Sequence, residues 1–203
     1  GLVAALIAST LKARVALVES GDMGGDCLNT GCVPSKALLA RAGVAQKARD
    51  ASGFGVSTGP VSVDFEAVMS QVEAAIATIA PNDSVERYTA LGVDVIKGWA
   101  QLTSPFEVQV NEQSFSSRSI IMASGASPIV PDMASAITVP VLTSDTVWSL
   151  QALPQRLLVV GGGAIGCEMA QAFQRLGSQV VLVEAMSRLV AREEPEVSGR
   201  LEA

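Results

Sequence analysis

One short stretch could do redox chemistry: the run Gly24 to Lys36, GGDCLNTGCVPSK, sets Cys27 and Cys32 five residues apart among glycines, with a proline and a lysine close behind. A thiolate is a nucleophile, and in a reducing compartment a thiol pair in a turn-rich segment stays reactive rather than structural. One further cysteine, Cys167, is present and histidine is absent, so neither a secreted-type disulfide framework nor a zinc site suits the sequence. A redox-active dithiol is therefore expected at Cys27 and Cys32, against the alternative of two buried, inert thiols. Cys32 and Lys36, four apart, would share a helix face, where the ammonium would favour a Cys32 thiolate. A disulfide needs Cα atoms within ~7 Å, and residues five apart diverge in an ideal helix; Cys27 is thus expected in an irregular turn that Gly24, Gly25 and Gly31 permit. Pro34 suits the first turn of a following helix. Cys167, alone on a helix, reads as core.

A working dithiol needs an electron source, and the flanking segments predict one. Leu157 to Ala185, LLVVGGGAIGCEMAQAFQRLGSQVVLVEA, reads as strand, glycine turn, helix and strand. Gly161, Gly163 and Gly166 follow the apolar strand and open the helix, so backbone N–H groups and the positive helix end can approach a pyrophosphate. Glu184 closes the next strand, where a carboxylate accepts hydrogen bonds from ribose hydroxyls and repels a 2′-phosphate, favouring NAD over NADP. The N-terminal stretch repeats this pattern without gaps. Setting Gly166 on Gly1 sets Glu184 on Glu19 and matches Ala170 to Ala5, Leu176 to Leu11, Val180 to Val15, Leu182 to Leu17 and Val183 to Val18. Gly1 is therefore expected to be the last glycine of a second fingerprint. The bland reading, glycines that only permit close helix packing, explains neither terminal acid.

Between these stretches, a helix is expected over Ala37 to Asp50, then a Gly/Ser/Pro-bearing loop from Ser52 to Val63. Asp64 reads as an N-cap before a helix whose face Phe65, Val68, Met69, Val72, Ile76 and Ile79 is core packing. Pro81 to Ser84 breaks it before a shorter helix. Strands are expected at Val93 to Ile96, around Phe106, Val108 and Val110, and at Ile120 to Ala123. Ser124, Gly125, Ala126 and Ser127 end that last run with small residues, allowing a ligand close to the backbone, or simply an ordinary tight turn. Ser144 to Pro154 reads as a linker, and Arg188 to Ala203 as a charged helix.

Composition bounds the rest. The 203 residues are 49% hydrophobic but only 17% charged, leaving little solvating coat for a free-standing domain. Starting at Gly1 without methionine, the chain is read as a fragment cut at both ends. A net charge of −6 without a basic cluster argues against nucleic acid or anionic membrane as partner. No apolar run reaches the ~20 residues of a membrane span, and a cytoplasmic setting is expected.

With two nucleotide units bracketing a CxxxxC, the chain resembles the class I pyridine nucleotide–disulfide oxidoreductases, the family of dihydrolipoamide dehydrogenase, glutathione reductase and mercuric reductase. GGDCLNTGCVPSK is similar to their redox signature almost residue for residue, and the order of elements agrees over essentially all the chain. The resemblance implies an α/β fold of two Rossmann-like dinucleotide-binding units, FAD then NAD(P), the second incomplete, with a small antiparallel β insertion. Residues 1–147 would form the FAD-binding domain and 148–203 the first part of the NAD(P)-binding domain. FAD would be bound by Gly1, Glu19, Gly25, Lys36, Ser124 and Gly125, and NAD(P)H by Gly161, Gly163, Gly166 and Glu184. Cys32 would sit against the flavin, Cys27 would exchange with substrate, and Lys36 and Glu168 would form the ion pair beside the flavin's reactive nitrogen. Asp26 departs from the pattern: threonine is usual there, and a carboxylate near a pyrophosphate must turn away or be neutralised.

The expected function is electron transfer from NAD(P)H through FAD to the Cys27–Cys32 disulfide and on to a small disulfide, as in dihydrolipoamide dehydrogenase. Mercuric reductase-like reduction of Hg(II) is the nearest alternative, and a redox sensor without turnover a more distant one. The family's acid–base pair and homodimer interface fall in a C-terminal portion that these residues do not include, so the chain alone is expected to be inactive.

Overall fold

Short runs rich in β-branched residues at 15–19 and 93–97 make two strands that each need a partner, and they find each other: Val15–Glu19 (β1) and Val93–Lys97 (β2) pair in parallel from Val15↔Val93 to Glu19↔Lys97. The computed structural model describes residues 1–132 and 138–202. They gather into two units, one of Gly1–Asn29 and Ile76–Ile129, the other of Thr30–Ala75 and Val130–Ala203. These units group residues by packing, whereas the division at 147/148 groups them by expected cofactor.

In the first unit, the alanine-rich helix Leu2–Thr10 (α1) leads into β1, and the five-residue helix Gly25–Asn29 (α2) follows. Ala5, Tyr88 and Val93 form the core, flanked by Leu2, Leu6, Val15, Leu17, Met23 and Val95. Tyr88 comes from Val85–Ala90 (α5), whose N-cap Ser84 accepts the Arg87 N–H. Three antiparallel strands, Ala100–Ser104 (β3), Glu107–Val110 (β4) and Gln113–Ser116 (β5), form the expected insertion, with Asn111 left-handed (φ 54) in the two-residue hairpin turn. The strand expected at Ile120 to Ala123 is not formed. No described strand pairs with it, and Ile121 and Met122 stand exposed.

The second unit is built on two long helices. Cys32–Asp50 (α3) and Ala164–Leu176 (α6) pack around Ala37, Leu38, Ala42, Ala172, Phe173 and Leu176, joined by Phe65, Met69 and Val72 of Phe65–Ile79 (α4). Each large apolar side chain buried there contributes about 1.5–3 kcal/mol. The Phe65 and Phe173 rings lie 6.1 Å apart at 39°. As expected, Asp64 caps α4 by accepting the Ala67 N–H at 3.0 Å. Arg156–Val160 (β6) and Gln179–Val183 (β7) pair in parallel, Leu157↔Val180 to Val160↔Val183. Leu157 and Val180 reach the core, while Leu158, Val160, Val181 and Val183 stand exposed on the other face. The expected C-terminal helix is confined to Pro195–Glu202 (α7).

Two further readings are corrected. Cys27 lies in α2 rather than in an irregular turn. The irregularity is concentrated just before it, in Gly24 and Gly25 (φ 107 and 59), and Asn29 closes the turn by donating to the Met23 carbonyl at 3.2 Å. The segment read as a linker is a fastened turn: Val147 N–H donates to Thr143 O at 3.0 Å and Thr143 N–H to Thr146 Oγ1 at 2.9 Å. Val147 is buried in the core and Trp148 packs against it.

Candidate functional site

Cys32 opens α3, exposed, with Gly31 as its N-cap. One turn on, the Lys36 Nζ donates to both Glu168 carboxylate oxygens at 2.7 Å. Glu168 stands on α6, two residues past the glycine turn, so this ion pair joins the cysteine-bearing helix to the helix the glycines open. With side chains 61% and 35% exposed, the pair is worth at most about 1 kcal/mol of stability. Its consequence is positional: it sets a charge pair one helical turn from a thiol.

The glycine turn carries backbone that other residues could not. Gly161 has φ +108, and a Cβ on Gly166 would stand 2.0 Å from the Gly161 carbonyl oxygen. Gly163 caps α6 with extended backbone, without a side-chain cap and with open space where a Cβ would be. An uncapped helix start beside an open glycine cradle is what a pyrophosphate requires, so the residues present fit a dinucleotide. Glu184, just past β7, reaches this turn: its Oε2 accepts the Gly162 N–H at 2.6 Å and its Oε1 the Met186 N–H at 2.8 Å. These N–H groups, Met186 first and Gly162 second, hold the Glu184 carboxyl below its ordinary value. Each oxygen keeps a lone pair for a ribose hydroxyl.

Sequence reasoning missed how tightly Gly162 is held. Its carbonyl accepts the Val190 N–H at 2.7 Å and the Cys167 thiol at 3.4 Å, and the Leu189 side chain lies where a Cβ would be. Val190 holds a left-handed conformation (φ 43), an outlier for a β-branched residue that no sequence pattern announces. Desolvation, then the Glu184 charge, pushes the Cys167 thiol upward, keeping it protonated. Cys167 is nonetheless only half-buried and belongs to neither core cluster, which corrects its reading as core: its thiol donates to the Gly162 carbonyl at the glycine turn.

In the first unit, Gly1 caps α1 without a side-chain cap, and a Cβ there would stand 3.7 Å from Ala123 and 3.8 Å from Leu17. Glu19 ends β1 with its Oε1 accepting the Gly21 N–H at 2.7 Å. Gly125 is left-handed (φ +72), and a Cβ on it would stand 3.4 Å from a carboxylate oxygen of Asp26. The structure thus brings the small-residue turn at 123–125 to Gly1 and, at the start of α2, to Asp26, whose neighbours are Gly25 and Cys27. A bare helix start at Gly1 and an acid at the end of β1 fit the adenosine side of a second dinucleotide, whereas the Asp26 carboxylate beside Gly125 must turn away or be neutralised before a pyrophosphate can sit there. Cys27 itself is exposed.

The local hydrogen bonds repeat between the two copies. After α1, Lys12 N–H donates to Ser9 O and Ala13 N–H to Ala8 O; after α6, Gly177 N–H donates to Gln174 O and Ser178 N–H to Phe173 O. Glu19 and Glu184 each accept the N–H two residues on. Every pair is related by the same offset that aligns the sequences.

A family model described as pyridine nucleotide-disulphide oxidoreductase matches residues 1–203. The chain is 38% identical to mercuric reductase of Streptomyces lividans over 209 residues, covering 100% of this chain and 44% of the relative. It is 33% identical to mercuric reductase of Lysinibacillus sphaericus, covering 98% of this chain and 37% of the relative. It is 35% identical to dihydrolipoyl dehydrogenase of Chlamydia trachomatis, covering 98% of this chain and 43% of the relative. Among solved structures it is similar to the HOCl-induced flavoprotein disulfide reductase RclA of Escherichia coli, with a TM-score of 0.80 at 26% identity, over 100% of this chain and 43% of that one. The chain thus spans about two fifths of the length of these relatives. Its paired α/β repeat, its CxxxxC segment and a match along its whole length place the chain in the pyridine nucleotide-disulphide oxidoreductase family.

Proposed function

We propose that these residues belong to an FAD-dependent NAD(P)H:disulfide oxidoreductase in which Cys27 and Cys32 alternate between disulfide and dithiol. The observation that carries the reading is the Lys36–Glu168 pair, which binds the helix opened by Cys32 to the helix behind the glycine turn. Residues 1–147 are the FAD-binding part, with Gly1, Glu19, Gly25, Lys36, Ser124 and Gly125 toward that cofactor. Residues 148–203 begin a Rossmann-type NAD(P) unit with Gly161, Gly163, Gly166 and Glu184. Bound FAD supplies a two-electron relay between the nicotinamide and the protein's sulfurs.

The chain's own residues do the remainder. Reduction of the Cys27–Cys32 disulfide takes two electrons and two protons and yields two thiols. The Cys27 thiolate then attacks a substrate disulfide, releasing one substrate thiol, and Cys32 resolves the mixed disulfide, releasing the second and restoring the pair. The Lys36 ammonium stabilises negative charge as it develops beside Cys32, and Glu168 fixes the ammonium in place. The ionised Glu184 disfavours a 2′-phosphate, so NADH is the preferred donor.

A small disulfide of the lipoamide type is the first substrate proposed. Hg(II), taken up as a bis-thiolate and released as the metal after two-electron reduction, is the second reading, favoured by the mercuric reductases among the relatives. The working form is a homodimer in a reducing compartment such as the cytoplasm; among the described residues no helix is long and apolar enough to cross a membrane.

The test is turnover of the full-length protein with lipoamide and Hg(II), each with NADH and NADPH. NADH-supported turnover of either acceptor, lost on Cys32→Ser, is expected; turnover that survives Cys32→Ser overturns the redox assignment. Equal use of NADPH removes the role given to Glu184.

A further inference from the structure

We propose that Trp148 is a positioning residue for Cys32, acting through the backbone of Thr30. This rests on the redox reading of Cys32. A sulfur that must meet a reaction partner needs its backbone held to within fractions of an ångström, and displacement of that order costs rate steeply.

The C-terminal side of Cys32 is well held by α3. Ala37, Leu38 and Ala42 are in the core, Ser35 N–H donates to Gly31 O at 3.0 Å, and Ser35 Oγ donates to the Cys32 carbonyl at 3.3 Å. The N-terminal side is a glycine, held by the Ser35 N–H through its carbonyl but with no side chain to restrict its backbone. Immediately before that glycine, the Thr30 carbonyl accepts the Trp148 indole N–H at 2.9 Å, across 118 residues of sequence. The same N–H is shared with the Ser144 carbonyl at 2.7 Å.

Trp148 can act as a clamp because it is itself fixed. The Thr143–Thr146 turn is cross-bonded through both backbone and hydroxyl groups, Val147 is buried beside it, and the indole packs on the core that holds α3. One N–H therefore ties the segment leading to β6 to the residue two before the reactive sulfur. Phenylalanine at this position would keep most of the packing and lose the clamp. The Ser35 N–H bond would then be what holds Gly31, and the chain entering Cys32 would gain freedom on its N-terminal side.

The experiment uses the full-length FAD-loaded protein, Trp148→Phe, and a protein carrying 3-benzothienylalanine at 148, which keeps the bicyclic shape without the N–H. The first readout is the iodoacetamide alkylation rate of Cys32 by mass spectrometry, in a Cys27→Ser background, with and without FAD. The second is the long-wavelength thiolate–flavin absorbance on two-electron reduction of the proteins that retain Cys27. Both replacements are expected to change the alkylation rate at least threefold and to lower the absorbance at least twofold, at unchanged FAD content. Rates and absorbance equal to the parent in the benzothienyl protein overturn the clamp while leaving the redox reading intact. If the parent shows no such absorbance and NADH does not expose Cys32 to alkylation, the redox reading falls and the inference with it. Should Trp148→Phe not fold, the benzothienyl protein decides alone.

Discussion

Glu184 shows how much one carboxylate can do in this chain. Two backbone N–H groups at 2.6 and 2.8 Å hold it, and they fix both the exit from β7 and the shape of the glycine turn. Because its folded-state pKa is lowered, its contribution to stability is fully present above the unfolded value, 4.5, and is lost as pH falls through the folded one. Urea midpoints of the parent and Glu184→Gln should therefore differ at neutral pH and converge as pH drops below that value; a gap that persists in acid would contradict the assignment. Glu168 works differently. Its partner Lys36 is largely exposed, so Glu168→Gln should shift stability by less than about 1 kcal/mol. In the full-length flavoprotein it should slow reduction by NADH on the order of tenfold, because an ammonium without its carboxylate no longer holds one place. Stopped-flow flavin absorbance measures this, and an unchanged rate removes Glu168 from the site.

At the scale of elements, the repeat makes a mismatch visible. The residue after α6 that must turn left-handed is Gly177, whereas after α1 it is Lys12 at φ 66. The two caps share two hydrogen bonds, Gly177 adding a third to Phe173 O, so the side chain at the left-handed position is the main difference in cost. Lys12→Gly should raise stability by about 0.5–1 kcal/mol, read as an increase in Tm, and a decrease would mean that Lys12 makes a contact worth more than its conformational cost. Helices are legible because their apolar faces and caps are local: Asp64, Phe65, Val68, Met69 and Val72 fold as their spacing predicts, while the predicted core stripe stops short of its last residue, since Ile79 at the end of α4 stands exposed. Ile120 to Ala123 does not form the strand its composition predicts, because an apolar run becomes a strand only when another strand pairs with it. Ser144 to Pro154 has the composition of a linker, but Thr143, Asp145, Thr146 and Val147 are cross-bonded into a turn, and burial of Val147 in a core built from distant segments holds that turn in place.

For the whole molecule, a low fraction of charged residues becomes exposed apolar surface. Leu158, Val160, Val181 and Val183 share one face of the β6–β7 pair at 57, 58, 60 and 44% exposure, and Val3 and Ile7 of α1 and Leu11 at its C-cap also stand exposed. Patches of this kind bind dyes and self-associate. The 203-residue polypeptide should bind anilinonaphthalene sulfonate and sediment as more than a monomer, with dye binding reduced by Leu158→Thr and Val181→Thr together. A dye-free monomer would contradict this. By itself the sequence determined the chemistry and the repeat: the two thiols, the glycine turns and the terminal acids are recognisable because each depends on residue type and short spacing. The tertiary structure decided which of these residues act together. That Asp26 faces Gly125, that Val190 clasps Gly162 and that Trp148 holds the residue before Gly31 are contacts between segments distant along the chain, as is the Lys36–Glu168 pair, which the family resemblance implies but no local spacing does. Only packing brings such segments together, and no local pattern encodes them.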